Sequence, residues 1–132
     1  MLKIRRNELD ILFSEYVRKR AILRCGGCER CLTWKADYKQ LQCSHFHSRR
    51  KQSTRHDELN GNGFCFGCHQ YFGENRNEYE AWLKNHIGER EFDLLTARAC
   101  QIGKPDKKLI EIYLKARIDE LKEANNVDRL GH

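Results

Sequence analysis

The sequence predicts a small α+β protein in which helices flank a central module without helical periodicity. Apolar residues recur at helical spacing through residues 7–23, and the same spacing returns from residue 77 onwards. Between these segments the chain is rich in Cys, His, Gly and Asn. At 132 residues it is long enough to bury one modest core. We therefore expect a single domain over 1–132, with an N-terminal helix in 1–24, a central core in 25–76 and a helical part in 77–132.

Each predicted helix has its own boundary residues. Asn7 is suited to cap the N-terminal helix, since a short polar side chain can accept a backbone N–H of the first turn. Gly88 and Gly103 each follow an apolar-periodic segment and predict two helix ends. Pro105 precedes the last periodic segment, and Asp106 is placed to cap it. The sequence therefore predicts two or three C-terminal helices.

Charge and composition narrow the class of protein. Lys and Arg number 25 against 19 Asp and Glu, which gives a net charge of +6. An excess of this sign favours a polyanionic partner, and nucleic acid is the first candidate. The sequence has no apolar run long enough for a signal peptide or a membrane helix, so we expect a soluble cytoplasmic protein without a membrane partner.

Two Cys-x-x-Cys pairs indicate a structural metal site. Cys65 and Cys68 form one pair, while "CGGCERC" offers Cys25, Cys28 and Cys31 for the other. Two such pairs supply four thiolates, the closed tetrahedral ligand set of structural Zn²⁺. We prefer Cys28 and Cys31, because Cys31 lies nearer to the following predicted strand, and Cys25 remains the alternative to either. An iron–sulfur cluster is disfavoured because no fourth Cys and Pro follow at ferredoxin spacing.

The segment between the two pairs carries side chains that a structural zinc site does not need. It is longer than the roughly 15–20 residues of a simple double-knuckle ribbon. "LTWKADYKQLQ" predicts a turn and a strand that leads into "CSHFHSRRK". The segment also contains three histidines, an Asp, an Asn and four cations: His45, His47, His56, Asp57, Asn60, Arg49, Arg50, Lys51 and Arg55.

These residues resemble a known family. His45 near the end of the predicted strand, Asn60 in "RHDELN" and His69 in "NGNGFCFGCH" follow the order of the HNH, or ββα-metal, endonucleases. The Asn-x4-Cys-x2-Cys-His spacing is typical of the zinc-containing branch of that family. Within it, "CERCLTWKADYKQLQCSHFHSR" and "TRHDELNGNGFCFGCHQYF" are similar to the phage NinG (Rap) recombination nucleases and, more distantly, to endonuclease VII. The resemblance covers roughly residues 25–100 and is specific over 28–69.

The resemblance implies a zinc-pinned ββα-metal (HNH-like) core and a metal-dependent DNA endonuclease. The expected substrates are branched or recombination intermediates in a phage or bacterial setting. His45 would be the general base, Asn60 would brace the loop between the strands, and His69 would bind one Mg²⁺ or Mn²⁺ that stabilises the leaving 3′ oxygen. The products would carry a 5′-phosphate and a 3′-hydroxyl. Four cations would contact the DNA backbone, namely Arg49, Arg50, Lys51 and Arg55.

The sequence departs from the family pattern at one position and leaves one ambiguity. Many members have an acidic metal ligand immediately before the general base, where this chain has Ser44. His47 or Asp57 could replace that ligand, and His47 is preferred because it would share a strand face with His45. Asn62 is the alternative to Asn60 as the motif asparagine.

A rival class of protein is a zinc-stabilised nucleic-acid-binding module without catalysis. It would keep the four cysteines and the cations but would not need His45, Asn60 and His69 together. Its best support is the missing acidic residue at Ser44. Under the nuclease interpretation a homodimer would suit branched DNA, because such DNA has two strands to cut.

Overall fold

A two-stranded antiparallel sheet lies among five helices in the computed structural model, which describes the backbone of residues 5–130 and the side chains of 5–125. The predicted α+β class is therefore confirmed. In chain order the elements are α1 (Glu8–Cys25), β1 (Gln42–His45), β2 (Gly61–Phe64), α2 (Phe66–Glu74), α3 (Arg76–Ile87), α4 (Glu89–Ala99) and α5 (Lys107–Leu130). Short 3-10 turns, Tyr38–Gln40 and Glu58–Asn60, precede the two strands.

Helix α1 begins and ends as its sequence predicts. The Asn7 side chain accepts the Asp10 N–H at 2.9 Å, and Asp10 in return accepts the Asn7 N–H at 2.8 Å. This reciprocal pair satisfies two backbone donors at the helix start. The helix ends because Gly26 adopts φ +75°, a left-handed conformation that glycine takes without steric cost.

The hairpin packs closely against α1. Its register pairs Gln42 with Phe64 and His45 with Gly61. A Cβ atom at Gly61 would lie 2.6 Å from the Phe13 ring, so only glycine allows this approach of β2 to α1. The "NGNG" segment is therefore a buried strand rather than an exposed turn, and its position brings the end of β1 next to α1.

Three helices follow residue 76, within the predicted range of two or three. Gly88, at φ +91°, separates α3 from α4 as the sequence predicts. Helix α4 ends at Ala99, four residues before the predicted stop at Gly103. Asp106 caps α5, since its Oδ1 accepts the N–H of Lys108 at 3.0 Å. Helix α5 continues to Leu130, within the predicted helical part.

Two apolar clusters hold the hairpin between helical layers. One joins α1 to α5 and contains Phe13, Tyr16, Val17, Leu114 and Ile118. The other lies between the hairpin and helices α2–α4, and its largest members are Phe46, Phe64, Phe72, Tyr79 and Phe92. Among the described residues no helix has the length and apolar character needed to span a bilayer.

Candidate functional site

Four cysteines meet at one point beside the hairpin. The Sγ atoms of Cys28, Cys31, Cys65 and Cys68 all lie within 4.8 Å of one another. The Sγ atoms of Cys31 and Cys65 are 3.8 Å apart. A Zn–S bond of about 2.3 Å in a tetrahedron gives an S–S edge of about 3.8 Å. The donor set and spacing are therefore compatible with structural Zn²⁺, held by the four residues that the sequence indicates.

Both knuckles are shaped by local backbone structure. After Cys31 the chain reverses through Leu32, whose φ of +61° is uncommon for a residue other than glycine. Cys65 is the N-cap of α2, and its Sγ accepts the Cys68 N–H at 3.4 Å. This hydrogen bond fixes the Cys65 sulfur at the start of the helix.

The first knuckle is tied to the hairpin through a buried carboxylate. The Glu29 side chain accepts the Gly63 N–H at 2.6 Å, while the Glu29 N–H donates to the Gly63 carbonyl at 2.9 Å. Arg30 donates to Cys68 Sγ at 3.5 Å, which places a positive charge beside the four sulfurs. A metal held there would therefore fix the position of β2 relative to the chain before β1.

Cys25 lies outside the four-sulfur group. Its thiol donates to the carbonyls of Ala21 and Gly27, at 3.3 and 3.4 Å. These contacts keep Cys25 at the C-terminal end of α1. The cysteines of "CGGCERC" that form the cluster are therefore Cys28 and Cys31.

His45 is the last residue of β1 and is partly buried. Its Nε2 lies 2.9 Å from the Arg55 carbonyl, and its ring contacts Phe13 with 5.3 Å between centroids. A carbonyl oxygen can only accept, so Nε2 carries the hydrogen and Nδ1 keeps a lone pair. Burial lowers the pKa of His45 to about 4, because an apolar environment disfavours the charged imidazolium.

Asn60 braces the loop between the two strands. Its Oδ1 accepts the His47 N–H at 2.7 Å, and its Nδ2 donates to the carbonyls of His47 and Thr54, both at 3.0 Å. Thr54 precedes Arg55, whose carbonyl accepts from His45, so Asn60 also fixes the segment that orients His45. The alternative Asn62 instead donates to the Tyr79 hydroxyl at 3.0 Å, away from this loop.

The three candidate ligands for a catalytic ion are not brought together. Among the described residues, one group of three or more His, Cys, Asp or Glu side chains is close enough to share an ion. That group consists of the four cysteines. Arg98 donates to Asp57 at 2.6 Å, and His47 Nε2 is 3.4 Å from Thr96 Oγ1. His69 lies in the first turn of α2, and its buried Nδ1 has no hydrogen-bond partner within the described part of the chain. A three-residue Mg²⁺ or Mn²⁺ site does not fit this arrangement.

The four candidate DNA-binding cations differ in their environments. Arg50 and Lys51 are exposed, and Arg49 is half-buried with Nη1 3.9 Å from Asp10. Arg55 is 5% exposed, and it binds Asp10 through Nε at 2.9 Å and Nη2 at 2.5 Å. The Arg55 guanidinium is occupied inside the fold, so this structure does not present it to a DNA backbone.

Nothing in the sequence indicated Asp10, whose carboxylate binds Arg55 and His56 beside this site. Besides Arg55, its carboxylate accepts from His56 Nε2 at 2.8 Å. Burial alone would raise the pKa of Asp10, but the hydrogen bonds from Arg55, Asn7 and His56 outweigh it and hold the pKa well below its usual range. On a helical wheel Asp10 is an ordinary first-turn acid. Arg55 and His56 lie more than forty residues away, so the sequence carries no local signal for this role.

No model of a known protein family matches the chain, and comparisons with curated proteins and with solved structures found no match either.

Proposed function

We propose that this protein is a metal-dependent DNA endonuclease of the HNH type that acts on branched or recombination intermediates. The observation that carries the proposal is the placement of His45 at the end of β1, where its Nε2 lies 2.9 Å from the Arg55 carbonyl. Two further features support it: His45 lies directly opposite the start of β2, and Asn60 fixes the intervening loop.

The geometry suits His45 to act as a general base. With its pKa at about 4 the imidazole is uncharged at neutral pH, so Nδ1 is ready to take a proton from water. The hydrogen bond from Nε2 to Arg55 stabilises the imidazolium as it forms. An anionic phosphodiester close to the ring would also favour the protonated form and raise the pKa towards the working range.

The reaction would be hydrolysis at phosphorus. Water attacks the phosphorus atom and gives its proton to His45 Nδ1, a P–O bond forms, and the bond to the 3′ oxygen breaks. The leaving oxygen takes up a proton and becomes a 3′-hydroxyl, while the other strand end carries a 5′-phosphate. Exposed Arg50 and Lys51 would contact neighbouring phosphates.

The ion requirement is part of the proposal, but its ligands are not assigned. Mg²⁺ is often held by one or two protein ligands together with water and substrate phosphates. When bound, such an ion would stabilise negative charge on the phosphate and the leaving oxygen. His69 remains the protein ligand implied by the family resemblance, and Asp57 would first have to leave Arg98.

The proposal is tested by cleavage of a four-way junction and a matched linear duplex in Mg²⁺ or Mn²⁺. We expect the wild-type protein to cut and His45→Gln to lose at least about a hundredfold in rate, the usual contribution of a general base. Asn85→Ala, at an exposed position in α3, is the control and should keep its activity. EDTA should abolish cutting by both active proteins.

A non-catalytic, zinc-stabilised nucleic-acid-binding module is the second candidate. It is favoured by the Asp57–Arg98 ion pair and by buried Ser44 at the position of the family's acidic ligand. Salt-sensitive DNA binding by wild type and His45→Gln, without cleavage by either in any of the ions tested, would select this candidate instead.

A further inference from the structure

A cationic cavity lies where the N-terminal ends of α1 and α5 meet. Its volume is about 210 Å³, below the roughly 300 Å³ at which pockets for drug-sized ligands begin. The polar lining comes from Asn7, Gln52, His56, Lys104 and Lys107, and the apolar walls come from Leu9, Pro105 and Ile110. The size suits a small polar group rather than a larger organic ligand.

The two lysines are available to a ligand. Within the part of the chain that the structure describes, no carboxylate forms an ion pair with Lys104 or Lys107. Asp106, between them in sequence, does not line the cavity and caps α5 through hydrogen bonds from the Lys108 and Leu109 N–H groups. The ammonium groups of Lys104 and Lys107 therefore line the cavity, and no described carboxylate neutralises them.

His56 is a pre-oriented third group in this cavity. Its side chain is 6% exposed, and Nε2 is held by Asp10 at 2.8 Å. Because the Asp10 carboxylate accepts from Nε2, Nδ1 keeps a lone pair in the neutral ring. The ring therefore forms a fixed wall of the cavity and can report on a group bound beside it.

The helix ends themselves do not account for an anion site. The first turn of α1 is capped by Asn7 and Asp10, and the first turn of α5 is capped by Asp106. The case for an anion therefore depends on side-chain donors that line one cavity: two ammonium groups and the Gln52 amide.

We propose that this cavity binds a phosphate group through Lys104, Lys107 and Gln52, beside the His56 ring. The assignment of that phosphate to DNA rests on the proposed function. If the protein is a nuclease, the bound group would be a DNA backbone phosphate close to the phosphate attacked at His45. The reason is that His45 and His56 both contact the Phe13 ring, with 5.3 and 5.9 Å between ring centroids. The cavity would then fix the path of the strand through the active site. A free phosphate compound would use the same donors.

Titration of the intact protein with inorganic phosphate, followed by NMR of the histidine ring protons at constant ionic strength, tests the site directly. We expect saturable shifts at His56 that chloride does not produce. The double variant Lys104→Gln/Lys107→Gln should lose them. Lys108→Gln/Lys115→Gln is the matched control, because it removes the same charge from α5 outside this cavity and should keep them.

A parallel measurement of DNA affinity against salt identifies the source of the phosphate. One lost phosphate contact lowers the slope of log K against log salt by about 1, so the cavity variant should show this change relative to the control variant. Phosphate shifts with an unchanged DNA slope would support the site and assign it to a free phosphate compound. If neither the His56 shifts nor the slope change occurs, the proposal is overturned, whatever the cleavage assay shows. If wild type binds phosphate but no DNA, the cavity stands and the nuclease proposal fails.

Discussion

At the scale of single residues, the candidate active site depends on how buried polar side chains are satisfied. His45 is neutral and fixed by one carbonyl, and the loop carrying that carbonyl is fixed by Asn60. Asp10 in turn holds Arg55 and His56 from the first turn of α1. Each polar group is oriented by another, so truncating one leaves buried partners without hydrogen bonds.

Asn60→Ala should destabilise the fold by about 2–3 kcal/mol. The substitution leaves the His47 N–H and the carbonyls of His47 and Thr54 without their partner, and unsatisfied buried groups cost about 1–3 kcal/mol each before relaxation. Urea unfolding measures the loss. Asn85→Ala, at an exposed position in α3, is the control and should stay within about 0.5 kcal/mol. Equal effects of the two substitutions would show that Asn60 does not brace the loop.

The pKa of His45 predicts acid sensitivity. Between pH 6.5, its ordinary pKa, and about pH 4, its pKa in the fold, the unfolded chain binds a proton at His45 that the folded chain does not. Stability should therefore rise with pH over this window and fall on acidification, by about 3 kcal/mol for this residue. The measurement is the difference in urea stability between wild type and His45→Gln at pH 4.5, 5.5 and 7. A difference that does not change with pH would contradict the buried, neutral imidazole.

At the scale of elements, the hairpin is positioned by α1 on one side and by the four-cysteine group on the other. Two hydrogen bonds between Glu29 and Gly63 fix the first knuckle relative to β2. Cys65 begins α2 directly after β2 ends, so a metal at the four sulfurs would hold the start of this helix as well. Zinc binding and the geometry of the hairpin are therefore expected to be coupled.

Cysteine substitutions test the metal site with a matched pair. Wild type should bind one Zn²⁺ per chain, and Cys31→Ser should lose it, because Cys31 Sγ belongs to the four-sulfur group. Cys25→Ser should retain the ion, since Cys25 bonds to carbonyls of its own helix end. Metal analysis after dialysis gives the stoichiometry, and thermal unfolding with and without chelator gives the coupling. Retention of zinc by Cys31→Ser would contradict the assignment.

Local patterns predict the elements better than the contacts between them. The cap at Asn7, the break at Gly88 and the choice of Cys28 and Cys31 all follow from nearby residues, and the structure agrees with them. The burial of Arg55 could not be predicted, because its partner Asp10 is forty-five residues away and both residue types are usually exposed. The same reasoning applies to Asp57, whose partner Arg98 lies in α4.

At the scale of the whole molecule, the site is assembled from distant parts of the chain that only helix packing brings together. Glu58, in the 3-10 turn that ends at Asn60, accepts from Tyr16 of α1 at 2.9 Å and from Tyr113 of α5 at 2.8 Å. Phe13 of α1 contacts both His45 and His56. The packing of α5 on α1 therefore supports the elements that carry the candidate active site and the phosphate cavity.

Leu114→Ala tests this dependence. Leu114 is fully buried between α5 and α1, so its truncation should cost about 2–5 kcal/mol through lost burial and the cavity left behind. Leu109→Ala, at a 63% exposed position of the same helix, is the control and should cost less than about 0.5 kcal/mol. Because α1 also holds Phe13 and Asp10, the Leu114 variant should weaken the phosphate-induced shifts at His56 at temperatures where it is still folded. If the phosphate-induced shifts at His56 stay normal despite a large loss of stability, the packing of α5 on α1 is not needed to form the cavity.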